Sequence, residues 1–239
     1  MLEPIDLPLL TPAPLVPGTL YLVSTPIGNL EDITLRAIRT LRDCDLVAAE
    51  DTRHTGVLLK RLGLIKRQVS THKFNEVKRS GEIVELLLGG GTVALVSDAG
   101  SPGISDPGQR MVAATIEAGC RVEAVPGACA LVAALTASGL ATGEFHFVGF
   151  LPVKSGQRSK LLARLLELSG TVVFYESPHR VVKLLGELDE RAPNRPVVLA
   201  RELTKKFEQI QRGLPGDLLA GYAERKPKGE FVVLIGQSE

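Results

Sequence analysis

Aromatic side chains are scarce in this sequence, which has no tryptophan, three tyrosines and seven phenylalanines among 239 residues. A protein that holds nucleic acid mainly by stacking bases on aromatic rings is therefore not expected. Charge of one sign is also lacking, because 28 Lys and Arg stand against 27 Asp and Glu. This balance excludes binding to a polyanion through bulk positive charge, but it leaves room for a local basic groove.

Cysteines are few as well: Cys44, Cys120 and Cys129 form no C-x-x-C pair and lie in apolar runs. We expect buried thiols in a reducing compartment and propose no metal site from them. No apolar run reaches the ~18 residues that span a bilayer. The first residues also lack the basic and apolar regions of a signal peptide, so a cytoplasmic protein is predicted.

From Gly18 onward, short runs rich in β-branched residues alternate with segments of helical periodicity. This succession predicts an α/β fold with a parallel sheet in the first half. Two closely spaced strands, at 196–201 and 207–212, predict an antiparallel hairpin and hence a mixed sheet in the second half. We expect a Pro-rich tail at 1–17, an N-terminal α/β domain at 18–138 and a C-terminal mixed α/β domain at 144–239.

Polar loops follow several predicted strands, where open α/β sheets bind their ligands. The loop at 23–34 contains Pro26 and Gly28, and Asp32 is placed to cap the next helix; a capped turn without a ligand explains this loop about as well. In the loop at 97–108, Asp98 comes directly after an apolar strand, which favours a functional site over simple Asx turns. Asp106 and Pro107 are typical of a helix N-cap followed by proline at the first position.

A third cluster, AAEDTRH at 48–54, combines carboxylate, guanidinium and imidazole groups. Such a set suits acid/base chemistry or phosphate binding, although capping of the next helix by Asp51 or Thr52 explains part of it. Further loops, VPGACA at 125–130, FYESPHR at 174–180 and ARELTKK at 200–206, also follow predicted strands. Together these loops predict a ligand site in a cleft between the two domains.

In this order, STPIGNLEDITLRA, AAEDTRHT, SDAGSPGISDPG, VPGACA, FYESPHR and ARELTK resemble the tetrapyrrole methylase superfamily. Within it they are most similar to the bacterial enzymes that methylate small-subunit ribosomal RNA on a ribose 2′-oxygen. The resemblance covers about 18–235 and implies two α/β domains of the tetrapyrrole methylase type with S-adenosylmethionine bound in the cleft between them. Homodimers are common in this superfamily, so the resemblance also implies a homodimer.

The resemblance further implies the residues that contact the cofactor. In the predicted N-terminal domain, the matching positions are Ile27, Gly28, Ser97, Asp98, Ala99, Ile104, Cys129 and Ala130. In the C-terminal half they are Glu176, Leu203 and Gly229. The family's first loop is usually rich in glycine, whereas here it reads TPIGN, and Glu176 replaces a residue that is typically apolar in relatives that modify tetrapyrroles.

The implied reaction is methyl transfer to the 2′-hydroxyl of a cytidine in the decoding region of 16S ribosomal RNA. This reaction requires alignment of oxygen, methyl carbon and sulfur, a base for the hydroxyl proton, and no metal. The candidate bases, in order, are Asp106, Glu50, Asp51 and His54. The cations suited to RNA phosphates are Arg53, Lys73, Lys205 and Lys206.

Two other functions stay open at this point. A methyltransferase acting on a tetrapyrrole precursor also needs basic residues for an anionic substrate, but the glycine-rich first loop is missing. A non-enzymatic RNA-binding module on the same fold predicts that no cofactor binds.

Overall fold

A computed structural model describes residues 13–72, 75–223 and 226–237. The chain forms two compact units. The first contains the described residues up to Val23, Leu35–Asp98 and Pro107–Val125. The second contains Ser24–Thr34, Ala99–Asp106 and the chain from Pro126 onward. The predicted domains, 18–138 and 144–239, follow chain order, whereas two loops and the segment after Pro126 group with the second unit.

The sheet of the first unit has five strands that are all parallel, in the order β3-β2-β4-β1-β5. They are β1 (Thr19–Val23), β2 (Leu46–Ala49), β3 (Gln68–Ser70), β4 (Val93–Val96) and β5 (Arg121–Val125). The helices are α1 (Leu35–Asp43), α2 (Thr52–Arg61), α3 (Glu76–Leu88) and α4 (Gln109–Glu117), with a 3-10 helix at Leu30–Asp32. Every residue of β2 and β4 is buried, as in a parallel sheet covered on both faces.

The sheet of the second unit is mixed, in the order β6-β7-β10-β8-β9. Its strands are β6 (Phe145–Phe150), β7 (Thr171–Glu176), β8 (Val197–Arg201), β9 (Gln209–Gly213) and β10 (Phe231–Ile235). Its helices are α5 (Ala130–Ser138), α6 (Ser155–Leu166), α7 (Pro178–Arg191) and α8 (Pro215–Ala220). β6 and β7 are parallel and the other pairs antiparallel, including β8 with β9, so the predicted mixed sheet and hairpin are confirmed.

Two capping predictions are wrong. Asp32 lies in the 3-10 helix, which is capped by Asn29, and α1 begins only at Leu35. Asp106 is not the N-cap of α4, because the helix begins at Gln109 and Gly108 takes the cap position. The capping acceptor comes instead from α3: the buried Glu76 carboxylate accepts hydrogen bonds from the backbone N–H groups of Gly108 (3.0 Å) and Arg110 (3.1 Å).

The cysteines are free thiols, and the burial prediction holds fully only for Cys44, since Cys120 and Cys129 are half-buried. Burial raises the pKa of Cys44 to about 11. Residues 1–12 of the predicted tail lie outside the described residues; of the remainder, Val16 donates its N–H to the Tyr21 hydroxyl (2.7 Å). Among the described helices, none has the length and apolar character needed to cross a membrane.

Candidate functional site

Three carboxylates gather where β2 and β4 end side by side in the first unit; we call Glu50, Asp51 and Asp98 the acidic edge. Asp98 Oδ1 accepts a hydrogen bond from the backbone N–H of Asp51 (3.2 Å). The backbone N–H of Asp98 donates to Glu50 Oε2 (3.5 Å). Parallel strands bring their carboxyl ends to one edge, so this grouping follows from the pairing of β2 with β4. In the described part of the chain, no group of His, Cys, Asp and Glu is arranged to hold a metal ion.

The environment drives the pKa values of two of these carboxylates apart. Burial raises the pKa of Glu50, and the nearby charges of Asp98 and Asp51 act in the same direction, against a hydrogen bond from the Asp98 backbone. Hydrogen bonds from Arg53 hold the pKa of Asp51 far below its usual range. Neighbouring acids with separated pKa values are typical of sites that move protons.

Asp51 is also the N-cap of α2, since its carboxylate accepts from the Arg53 backbone N–H (2.8 Å). The predicted alternative of a helix cap is therefore confirmed for Asp51. Arg53 pairs with this carboxylate (2.7 Å) while its side chain is 90% exposed, and His54 is exposed on the same helical turn. Both side chains can meet a ligand from solvent without moving a buried group.

Three loops meet in the second unit, and we call their meeting point the loop junction: 24–28, 99–106 and 126–130. Thr25 and Gly100 exchange two backbone hydrogen bonds of 2.9 and 3.0 Å. The hydroxyls of Ser24 and Ser101 are hydrogen-bonded (2.9 Å). A Cβ at Gly127 would lie 2.8 Å from the Cβ of Ser24, so only glycine fits there. The loops are thus fastened by backbone contacts that tolerate little added bulk.

Three apolar members of the predicted cofactor set share one hydrophobic cluster in this unit, whereas Ile104 is exposed. Leu203 is buried in it, and Ile27 and Ala130 pack against it. A Cβ at Gly28 would collide with the Lys205 stem and lie 3.1 Å from the Leu203 carbonyl oxygen. The first loop and the turn after β8 are therefore in van der Waals contact, although they are far apart in sequence.

Glu176 ends β7 at the edge where β10 begins, because it pairs with Phe231. Its carboxylate is buried: Oε1 accepts from the Ser177 N–H (2.7 Å) and from Arg180 Nε (2.6 Å). Its other oxygen, Oε2, has no hydrogen-bond partner among the described residues. A buried, unmatched carboxylate oxygen is costly, and a ligand that donates a hydrogen bond would satisfy it.

Asp106 belongs to the second unit, where its charge acts on Tyr175. Burial raises the pKa of Tyr175 to about 12, with smaller contributions from Cys129 and Asp106. The neighbouring Ser105 has a φ of +65°, and a Cβ at Gly149 would lie 3.0 Å from the Ser105 hydroxyl. The loop that carries Asp106 is thus packed closely against the end of β6.

The predicted cofactor residues divide between the two units. Nine of them lie in the second unit: Ile27, Gly28, Ala99, Ile104, Cys129, Ala130, Glu176, Leu203 and Gly229. Ser97 and Asp98 lie at the carboxyl end of β4 in the first unit. Of the predicted RNA cations, Lys206 is exposed, Lys205 is ion-paired to Glu202 and Glu230, and Lys73 falls outside the described residues.

Sequence reasoning missed Glu202 and Tyr175, which lie next to predicted contacts. Glu202 has a φ of +50°, a conformation that favours glycine. Because a glutamate stands there, the residue type does not predict a turn at this position. Tyr175 was visible only as a member of the FYESPHR motif, because its contacts with Phe147 (5.0 Å between ring centroids) and Cys129 are long-range.

Comparison with known proteins decides the family, because residues 19–219 match the tetrapyrrole (corrin/porphyrin) methylases. The chain belongs to this family. Two similar relatives are the ribosomal RNA small subunit methyltransferases I of Synechocystis sp. and Mesorhizobium japonicum. The first is 50% identical over 91% of this chain and 78% of its own length, and the second 48% identical over 95% and 77%.

A solved tetrapyrrole methylase shares the fold. The crystal structure of uroporphyrin-III-C-methyltransferase from Thermus thermophilus superposes with a TM-score of 0.63. Its sequence is 26% identical, and the match covers 92% of this chain and 94% of that one. The all-parallel and mixed sheets described above are therefore the α/β architecture of this family, as the sequence motifs predicted.

Proposed function

We propose that this protein is an S-adenosylmethionine-dependent methyltransferase that methylates the ribose 2′-oxygen of a cytidine in the decoding region of 16S ribosomal RNA. The observation that carries the proposal is the identity of 50% and 48% to ribosomal RNA small subunit methyltransferases I over more than nine-tenths of this chain. Such an enzyme acts in the cytoplasm, and its substrate is the ribosomal RNA or the small subunit. The expected homodimer is a further part of this proposal, testable by light scattering.

The residues present fit S-adenosylmethionine. The loop junction offers glycine-lined backbone, and the apolar side chains of Ile27 and Leu203 pack in one cluster. The unmatched Oε2 of Glu176 can accept a hydrogen bond from an amine or hydroxyl. When bound, the cofactor supplies a methyl group already activated on a sulfonium. The loop junction and Glu176 would bind and orient it.

Within the acidic edge, Glu50 is the group best suited to take the proton of the 2′-hydroxyl. Its raised pKa makes it a stronger base than an ordinary carboxylate while it stays partly accessible. Asp51 is the weaker base, because Arg53 stabilises its charged form. Asp106 is the second candidate, as a half-buried carboxylate in the loop at 99–106. In this assignment, Asp98 orients Glu50 through its backbone N–H.

The exposed cations Arg53 and Lys206 are the groups that would bind RNA phosphates. Phosphate contacts fix the register of a nucleic acid without reading its sequence. The few aromatic residues leave recognition to shape, phosphates and 2′-hydroxyls, which is how proteins often read structured RNA.

The test is transfer of labelled methyl from S-adenosylmethionine to small ribosomal subunits isolated from a strain that lacks this enzyme. We expect label in 16S RNA, on a ribose that resists alkaline cleavage at one cytidine. Label in a tetrapyrrole precursor but not in RNA would support the porphyrin alternative instead. Binding of RNA without binding of the cofactor would support the non-enzymatic alternative.

A further inference from the structure

The turn after β8 has an unusual backbone. Glu202 and Thr204 have φ angles of +50° and +64°, in the left-handed region that side chains rarely adopt. A β-branched residue such as threonine is especially disfavoured there. Such a conformation persists only where surrounding contacts hold it, and it is often found at ligand sites. The contacts that hold this turn therefore indicate whether it belongs to a ligand site.

Lys205 provides several of those contacts, and Glu208 provides another, because its Oε2 accepts the backbone N–H of Thr204 (2.5 Å). The Nζ of Lys205 is 2.9 Å from Glu202 Oε1 and 2.7 Å from Glu230 Oε2. Glu202 Oε1 also accepts the backbone N–H of Glu230 (3.0 Å), and Glu202 and Glu230 are further joined through their backbones (3.0 Å). Lys205 thus ties the turn to the segment that leads into β10, which includes Gly229.

These charges stabilise one another. The side chains of Lys205 and Glu202 are only 30% and 19% exposed, so their pairing is less screened than that of a surface ion pair. Burial lowers the pKa of Lys205, but hydrogen bonds from its ammonium to Glu230 and Glu202 raise it by more. The same pairing lowers the pKa of Glu202.

The stem of Lys205 also covers the first loop. A Cβ at Gly28 would collide with Lys205 Cγ and would lie 3.0 Å from the Thr204 hydroxyl. The Thr204 hydroxyl is itself buried and has no hydrogen-bond partner among the described residues. One side of Lys205 therefore faces two carboxylates, and its stem faces a predicted cofactor loop.

Lys206 provides the contrast. Its side chain is exposed, and its Nζ lies 5.6 Å from the ring centroid of the exposed Phe207. The two adjacent lysines, which motif reading placed together as RNA contacts, thus have opposite environments.

We infer that Lys205 is a positioning residue for the cofactor site: it fixes the 202–205 turn against Gly28 through Glu202 and Glu230, and Lys206 alone of the pair is available to RNA. This inference rests on the proposed function for the identity of the cofactor. It assigns a role to Glu202 and Glu230 that no motif indicated.

The test measures S-adenosylmethionine binding by calorimetry, which needs no RNA. Lys205→Met keeps the stem and removes the charge, so we expect affinity to fall about tenfold, on the scale of a charged hydrogen bond lost. Lys205→Arg keeps the charge and should restore affinity to within about threefold. Lys206→Met is the matched control: its cofactor affinity should equal that of the wild type, while its KM for small subunits rises.

A second test uses the steric contact between Gly28 and Lys205 and does not depend on the charge of Lys205. Gly28→Ala should weaken cofactor binding because its Cβ meets the Lys205 stem, and the double variant with Lys205→Ala should lose less affinity than the two single losses combined, because both changes act on one contact. If Lys205→Met fails to fold, Glu230→Gln replaces it. The Glu230 side chain is 83% exposed, and its loss should weaken binding in the same direction by about two- to threefold.

Several outcomes would overturn the inference. One such outcome is equal cofactor affinity in Lys205→Met and Lys206→Met. Another is a KM for RNA that rises in Lys205→Met while cofactor affinity stays at the wild-type value. Either result would show that Lys205 contacts RNA instead of positioning the cofactor site. A wild-type protein that binds S-adenosylmethionine but transfers no methyl to small subunits would contradict the proposed substrate and leave the role of Lys205 to be decided by calorimetry. A wild-type protein that binds no S-adenosylmethionine would overturn both.

Discussion

The acidic edge and the loop junction are organised by different physics. At the acidic edge, charge is the organising principle: burial raises the pKa of Glu50, and hydrogen bonds from Arg53 lower that of the neighbouring Asp51. At the loop junction, shape is the organising principle, since glycines allow backbones to approach where a Cβ would collide. In the proposed assignment, proton chemistry belongs to the first region and most of the cofactor contacts to the second. Charge-changing and bulk-adding substitutions should therefore separate the two.

The largest expected effect is that of Glu50→Gln. Without a base at this position, kcat should fall by about 10²–10⁴-fold, the range of general-base contributions. Cofactor affinity measured by calorimetry should stay at the wild-type value, because the loop junction is unchanged. Glu117→Gln, on the exposed face of α4, is the control and should leave both quantities unchanged. Full activity in Glu50→Gln would transfer the role of base to Asp106, to be examined with Asp106→Asn.

The next effect is steric. Gly127→Ala places a Cβ 2.8 Å from Ser24 Cβ, so the two loops must separate. We expect at least a tenfold loss of cofactor affinity, with a loss of unfolding free energy of about 1–3 kcal/mol, typical of overpacking. Gly143→Ala is the matched control, because no atom lies within 4 Å of its Cβ position. If Gly127→Ala changed kcat at unchanged cofactor affinity, the division of roles would be wrong.

A smaller effect concerns the start of α4. Glu76→Ala removes the acceptor for two backbone N–H groups and should lower the free energy of unfolding by about 1–2 kcal/mol in urea titrations. Glu76→Gln keeps a side-chain oxygen and should lose less. Equal losses in the two variants would show that the negative charge, and not the hydrogen bonds, holds this helix end.

The smallest expected effect is a shift in the pH dependence of kcat/KM. A base acts in its deprotonated form, and burial raises the pKa of Glu50 above its ordinary 4.5. The acid limb of kcat/KM should therefore lie above pH 4.5, and activity should fall as the pH decreases through it. The same raised pKa means that the folded state gains stability from Glu50 below pH 4.5 and loses it as the pH rises. An acid limb at or below 4.5 would argue against Glu50.

Much of the fold was predictable because its signals are local. The alternation of β-branched runs and helical periodicity from Gly18 onward corresponds to the alternating strands and helices of the first unit. The Asp51 cap was predictable for the same reason, since an N-cap and its helix are neighbours in sequence. The short helix α8, at Pro215–Ala220, was missed because six residues carry too little periodicity.

The wrong cap at Asp106 and the missed contacts have one cause, which is distance along the chain. The acceptor for the start of α4 is Glu76, more than 30 residues upstream, so the nearby Asp106 was a misleading signal. The contacts of Gly28 with Lys205 and of Gly127 with Ser24 are likewise long-range. The resemblance placed Gly28 with the cofactor and Lys205 with the RNA, and only the folded chain shows that the two are in contact.

The interleaving of the two units has a consequence for how the protein is made. The chain changes unit after Val23, Thr34, Asp98, Asp106 and Val125, so no single cut yields two complete halves. A ribosome that has released the first 125 residues has delivered every strand of the first sheet but none of the second. The segments 24–34 and 99–106 therefore leave the ribosome before the rest of their unit has been synthesised. Conversely, a fragment beginning at Pro126 would lack these two loops of its own unit.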